Sequence, residues 1–237
     1  MNYVVELTGI PGSGKTFLSN QLFDCLSSDK KMSSFTFHNR RTIYYERNEH
    51  GLRKLLSTLS LLFNHLYLKL FLLLLFSPKY KRERKPKLKY LIKILLQQRF
   101  VTKKTKNCDN NVFIIDEGFI HLQYIFLENM HSSSSLQKHM VLLTKMLSQY
   151  RNTFFVTFFV ECDVKKAFER IQSRDQGWPI GFLGKTDSDK INYLMKQFSV
   201  FNYLNSNLSC EHSETMNSYE LEKALKYIAI SLGAKHI

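Results

Sequence analysis

Cysteine is scarce and scattered. The 237-residue chain has four, Cys25, Cys108, Cys162 and Cys210, and no two form a Cys-x-x-Cys pair. That spacing excludes a zinc knuckle or a dithiol redox centre and suits reduced thiols in a cytoplasmic protein. No segment reads as a signal peptide, because the first apolar run leads straight into a glycine loop, so a cytoplasmic location is expected. Internal repeats and long linkers are also missing. With 44% hydrophobic residues, the chain is read as one domain over 1–237 that carries one insertion. Acidic residues are nearly absent from that insertion: between Gly51 and Lys106 fifteen Lys and Arg face one acid, Glu83. This stretch therefore accounts for the whole formal net charge of +14, and the remaining basic and acidic residues balance.

What is present alternates between strand-like and helix-like runs. Tyr3–Leu7 is a short β-branched run, and Lys15–Leu26 follows with Phe17, Leu18, Leu22, Phe23 and Leu26 at helical spacing. Ser33–Phe37 suggests a second strand, with Ile43–Tyr45 extending or following it. In the insertion, Leu52–Phe76 and Leu88–Phe100 read as two helices of a basic hairpin, the second with Leu88, Leu91, Ile92, Leu95 and Leu96 on its apolar side. Val112–Asp116 and Phe154–Val160 are buried strands. Helices are expected over Phe119–Asn129, Leu136–Tyr150 after a Ser132–Ser135 loop, Asp163–Arg174, Asp187–Leu204 and Leu221–Leu232, with Asp163 and Asp187 as caps and a last short strand at Asn207–Glu211. The expected class is α/β, with a parallel five-stranded sheet flanked by helices.

The most specific signal is Gly9-Ile10-Pro11-Gly12-Ser13-Gly14-Lys15-Thr16, which fits G-x-x-x-x-G-K-[ST] between a strand and a helix. Glycines at Gly9, Gly12 and Gly14 allow a loop whose amides point inward, and the helix amino terminus adds positive potential, making an anion cup for phosphates. Pro11 and Ser13 complete the loop. Lys15 would reach the β and γ phosphates of a nucleoside triphosphate such as ATP, and Thr16 would be a ligand to Mg²⁺. Asp116, ending a buried strand, is the expected second Mg²⁺ partner, held through water. Glu117 beside it is either a general base, a water-orienting group or a helix cap.

The phosphate loop, the apolar strand ending in Asp116-Glu117-Gly118, and the segment Phe158 to Arg174 together resemble the P-loop kinases of small molecules, the superfamily of thymidylate kinase. In that superfamily a strand delivers an Asp-x-x-x-Ala-x-x-Arg-x-x-x-Arg helix, matched here by Asp163, Ala167, Arg170 and Arg174, whose arginines belong to a lid over the triphosphate. The two arginines are four apart and so share a helix face. Arg174 is the stronger candidate of the two because it precedes the lid-like Asp175-Gln176-Gly177-Trp178-Pro179, where Gly177, Gly181 and Gly184 would let the segment hinge and Lys185 could join it. The resemblance covers roughly residues 1–26 and 110–232 and leaves the insertion unmatched. It also has a gap: nucleotide monophosphate kinases carry Asp-Arg where this chain has Asp116-Glu117, so the arginine expected to grip an acceptor phosphate is missing. Glu46 and Arg47, or Arg40 and Arg41, are alternative acceptor contacts.

These features lead to a kinase that moves the γ-phosphoryl of ATP to a hydroxyl of a small molecule, sugar, glycolipid or glycan. The competing readings are an ATPase or GTPase acting as a regulatory or membrane-associated module, and a nucleotide-binding adaptor without turnover. No ABC signature or Asn-Lys-x-Asp guanine motif is seen, and the chain is short for an AAA module. The basic segment 79–106 suits an anionic membrane surface, a polyanionic glycan or a solvated tip over a helical lid. Nucleic acid is disfavoured, because only Tyr80 and Tyr90 could stack on bases there. The sequence leaves the oligomeric state open.

Overall fold

The structure, a computed structural model, describes residues 1–39, 65–76, 81, 84–127, 137, 140–141, 153–175, 177–178, 182, 184–207, 213–217 and 220–232. The strands are β1 (Asn2–Thr8), β2 (Thr36–His38), β3 (Asn111–Asp116), β4 (Thr153–Glu161) and β5 (Ser213–Asn217), all parallel, in the order β2-β3-β1-β4-β5. Strand β1 lies between β3 and β4, so the chain leaves it at the point where successive connections depart to opposite sides. Open parallel sheets bind ligands at such a switch point, beyond the carboxyl ends of the strands.

The helices are α1 (Lys15–Ser28), α2 (His65–Phe76), α3 (Arg84–Asn107), the short α4 (Phe119–Leu122) and α5 (Tyr124–Leu127), α6 (Val164–Gln172), α7 (Asp187–Asn207) and α8 (Leu221–Ser231). Alternation along the strands divides the core. Tyr3, Val5 and Leu7 join Val112, Ile114 and Phe158 against Leu18, Leu22 and Leu26 of α1 and Ala224 and Ile228 of α8. On the opposite face, Val4, Phe113 and Ile115 meet Phe100 and Val101 of α3. A further cluster gathers Leu91, Ile94 and Leu95 of α3 with Ile10, Phe119, Phe159 and Phe201. Leu18, Leu22 and Leu26 are buried as expected, whereas Phe17 is 55% exposed because it falls just outside the inward stripe of α1.

The inserted segment departs from its expected shape. Helix α3 begins at Arg84, with Pro86 in the first turn where a missing amide costs little, and it runs on to Asn107 rather than ending at Phe100. Its buried face is rotated from the anticipated one: Leu91 and Leu95 are inside, but Ile92 is 49% exposed and Ile94 takes the inner place. The polar Lys87, Gln97 and Gln98 are buried with them, which is why a purely apolar stripe misplaces the face. His38 of β2 stacks on Phe113 at 4.9 Å and meets Phe100 edge-on at 5.4 Å, joining α3 to the sheet. Helix α2 is tied to α3 where Arg84 Nε donates to Leu74 O at 3.0 Å. The start of the first insertion helix, the 77–80 connection, Arg40, Arg41, Ile43–Tyr45, Glu46 and Arg47 lie outside the described residues. So do Ser132–Ser135, most of the expected Leu136–Tyr150 helix, and Gly181.

Four boundaries are corrected. The second strand is shifted to Thr36–His38. The helix anticipated over Phe119–Asn129 is two short helices with a break at Gln123. Helix α7 continues through Asn207, and the last strand comes later, at Ser213–Asn217 rather than Asn207–Glu211. Asp163 caps α6 by accepting from the Lys165 and Lys166 amides, as expected. Asp187 does not cap α7. A reciprocal pair does, in which Thr186 Oγ1 accepts from the Asp189 amide and Asp189 Oδ2 accepts from the Thr186 amide, both at 3.2 Å.

Candidate active site

The loop after β1 turns sharply at three glycines with positive φ: Gly9 at 143°, Gly12 at 84° and Gly14 at 97°. Two of them leave no room for a side chain. A Cβ on Gly9 would stand 2.6 Å from Val160 O of β4, and one on Gly12 2.5 Å from Ala167 O of α6. Glycine is therefore required twice over, by torsion and by close approach, and the loop packs its outer side against β4 and α6. Ser13 Oγ is buried with no hydrogen-bond partner among the described residues.

Lys15 opens α1 and is 4% exposed. Its ammonium donates to Gly9 O at 3.0 Å and Ile10 O at 2.9 Å, folding back over its own loop. Burial pulls its pKa down, while Glu117 and Asp116 act in the opposite direction and Arg174 and Lys93 reinforce the fall. Thr16 Oγ1 donates to Asp116 Oδ2 at 2.7 Å, so the first turn of α1 and the end of β3 are joined through side chains. Asp116 is 1% exposed, at the carboxyl edge of the sheet where the notion of a buried strand ending in an acid placed it.

Glu117 takes a left-handed backbone, φ 63°, while its amide still donates to Leu7 O at 3.1 Å. A non-glycine residue in that region is uncommon and is held there by its surroundings. Its carboxylate points between two cations: Oε1 is 3.8 Å from Lys15 Nζ and Oε2 is 3.7 Å from Lys93 Nζ. The capping role open to Glu117 is filled instead by Glu6. From within β1, Glu6 accepts from the Ile120 amide at 3.0 Å and the His121 amide at 2.7 Å, and Gly118 is pressed so close that a Cβ there would be 2.7 Å from Glu6 Oε2. Burial pushes the Glu6 carboxyl up to about 7, against the backbone hydrogen bonds that favour its charged form. His121, hydrogen-bonded with Thr8 through Nδ1 at 3.1 Å, is driven down to about 3 by the same burial. Glu6 was legible only as an acid among Val5 and Leu7 in a run otherwise suited to the core.

Of the two arginines on the helix after β4, Arg170 touches the loop, its Nη1 donating to Gly12 O at 3.3 Å and lying 3.6 Å from Cys162 Sγ. Arg174 is exposed just beyond α6 and makes itself felt at Lys15 through its charge. The following segment has left-handed Gly177 and Gly184, and Trp178 packs against Phe168 and Phe182 at 5.7 and 5.4 Å. Lys185 is exposed there.

The site therefore gathers Gly9, Gly12, Gly14, Lys15, Thr16, Asp116, Glu117 and Arg170 at one sheet edge, with Pro11 and Ser13 in the loop and Arg174 at its margin. The residues fit a magnesium nucleotide. Glycine cradles press the loop's outer side against protein backbone, and Thr16 and Asp116 present adjoining oxygen donors of the kind a hard divalent cation prefers.

Comparison with known proteins bears on the fold. Residues 2–119 match the family model described as Nephrocystin 3, N-terminal. No curated protein matches the chain. Among solved structures, deoxyadenosine kinase from M. mycoides with bound dATP is similar at a TM-score of 0.50 and 12% identity, covering 98% of this chain and 100% of that one. Shikimate kinase from Bacteroides thetaiotaomicron gives a TM-score of 0.44 at 14% identity, covering 98% of each chain. An uncharacterized protein from Eubacterium ventriosum gives 0.41 at 9%, covering 99% of each. The chain has a P-loop kinase-like fold.

Proposed function

We propose that this chain is an ATP-dependent phosphotransferase that moves the γ-phosphoryl group to a hydroxyl of a small molecule, sugar, glycolipid or glycan. The observation that carries this reading is the 2.7 Å bond between Thr16 and Asp116 beside the buried Lys15, with Glu117 one residue further on. Thr16 and Asp116 would hold Mg²⁺, which supplies charge neutralisation to the phosphates when bound. Lys15 turns from its loop carbonyls to the β and γ phosphates. Arg170, already on Gly12 O, and Arg174 neutralise charge as the P–O bond to the departing ADP lengthens and the acceptor oxygen bonds to phosphorus. Glu117 takes the acceptor's proton. Such catalysis works by positioning and electrostatics rather than by a covalent enzyme intermediate. The whole chain, 1–237, forms one unit in this reading, with the insertion at 51–106 on the acceptor side.

The test measures ATP consumption with and without candidate hydroxyl acceptors and looks for phosphate on the acceptor. Acceptor-dependent turnover supports the kinase. Robust hydrolysis alone transfers the site to an ATPase or GTPase module, and binding without turnover to an adaptor.

A second reading concerns the insertion. Leu68, Leu72 and Phe76 of α2, spaced by four, are 40%, 44% and 75% exposed, and Lys81, Lys85 and Lys89 are exposed in the neighbouring basic segment. Among the described residues no helix is long and apolar enough to cross a membrane. An apolar ridge beside exposed cations favours peripheral attachment to an anionic lipid surface, or a polyanionic glycan held by the cations alone. Co-sedimentation with anionic vesicles that persists in full after Lys81, Lys85 and Lys89 are neutralised would remove the electrostatic part of this reading.

A further inference from the structure

Fifteen cations crowd the insertion, and the sequence offers no reason to single out one of them. The fold does. Lys93 is carried by α3 between Leu91 and the fully buried Ile94, its side chain is 18% exposed, and its ammonium lies 5.4 Å over the Tyr90 ring. From that position it meets the carboxylate that also faces Lys15.

We propose, resting on the nucleotide-binding reading above, that Lys93 is a positioning residue of the nucleotide site, which shares the Glu117 carboxylate with Lys15 so that Lys15 can be released to the phosphates. One carboxylate here stands between two ammonium groups, one on each oxygen. The backbone of Glu117 is held in its left-handed conformation with its amide on Leu7 O, which sets the carboxylate between the two cations. Lys93 is carried on a helix whose Leu91, Ile94 and Leu95 are packed in the core, with its ammonium over the Tyr90 ring. When nucleotide arrives, Lys15 leaves its carbonyl partners and loosens its hold on Glu117. Lys93 remains to neutralise the carboxylate, which otherwise keeps Lys15 back and repels the incoming anion. The insertion thus supplies a cation next to the place where the resembled kinases carry the arginine that is Glu117 here.

A binding cycle on the full chain tests this with Mg-ATP as the probe, read by calorimetry and needing no acceptor. Lys93→Met is expected to weaken Mg-ATP binding about tenfold, the scale of one close charge pair. Lys93→Arg keeps the cation and stays within about threefold of the native chain. With Glu117→Gln already in place, Lys93→Met is expected to change affinity by less than about twofold, since no carboxylate is left to neutralise. Lys226→Met, removing an exposed charge from α8, controls for net charge and leaves binding unchanged. If Lys93→Met fails to fold by thermal melt, Lys93→Gln takes its place in the cycle. Unaltered affinity in the position-93 variants, or an equal loss whether or not Glu117→Gln is present, overturns the proposal. A folded native chain that binds no Mg-ATP would instead overturn the function proposed above, and native binding abolished by Lys15→Ala but indifferent to the 93/117 cycle removes only this inference.

Discussion

Thr16 and Asp116, one hundred positions apart in the chain, are joined by a 2.7 Å hydrogen bond that fastens the first turn of α1 to the end of β3. The two oxygen donors are thereby held side by side, as a shared cation would require. Asp116→Asn keeps the shape but removes the charge. Mg²⁺-dependent ATP turnover is expected to fall about 100-fold or more, with a smaller effect on the thermal midpoint. Turnover within a few-fold of the native chain would show that Asp116 is not the metal partner.

Gly12 tests the loop itself. A methyl group there meets Ala167 O at 2.5 Å on a backbone with φ 84°, so α6 has to yield or the loop has to flatten. Gly12→Ala is expected to destabilise the chain by about 2 kcal/mol and to abolish Mg-ATP binding at millimolar nucleotide, as measured by denaturant unfolding and calorimetry. Native-like binding would mean that the loop's amides are not the anion seat.

Glu6 and His121 give the fold a pH signature. Glu6 titrates near 7 in the folded chain against an ordinary 4.5, so the folded state keeps a proton that the unfolded state has released, and stability from this group falls as pH rises from about 4.5 to 7. His121 titrates near 3 against 6.5, so the unfolded state binds the extra proton and stability from this group rises between about pH 3 and 6.5. Over most of the shared window the two slopes cancel. Glu6→Gln removes one of them: its unfolding free energy is expected to keep climbing to about pH 6.5 where the native chain levels off, the two profiles diverging by about 3 kcal/mol. Parallel profiles from denaturant titrations at pH 4 to 8 would refute the shift at Glu6.

Leu22 offers a check on the core without touching the site. It is fully buried between α1 and the sheet. Leu22→Ala is expected to cost about 3 kcal/mol in unfolding free energy while leaving Mg-ATP affinity within about twofold at a temperature where the protein is folded.

The parts of this molecule that were readable in advance are those where chemistry and local geometry coincide. Gly9 to Thr16 needs its residues for torsion and contact alike, and Val112–Asp116 is a buried strand whose last residue has to face the ligand edge. Asp163 caps α6 through its own neighbours' amides, a purely local matter. What escaped reading depends on distant partners. Ile94 displaced Ile92 from the buried face of α3 because the sheet and α4, not the helix's own apolar count, choose which side turns inward. Glu6 is bound to amides more than a hundred residues away, and Lys93 is distinguished from the other insertion cations only by where α3 lays it. The choice between Arg170 and Arg174 likewise needed the loop carbonyl of Gly12, which no helical spacing reveals.

Helix α3 holds Leu91 and Leu95 in one hydrophobic cluster and Phe100 and Val101 in another. An excision of residues 84–107 would consequently not yield a leaner version of the same fold. It would strip two layers of their filling at once, so truncating the helix's inward residues costs the core more than recharging its solvent-facing ones.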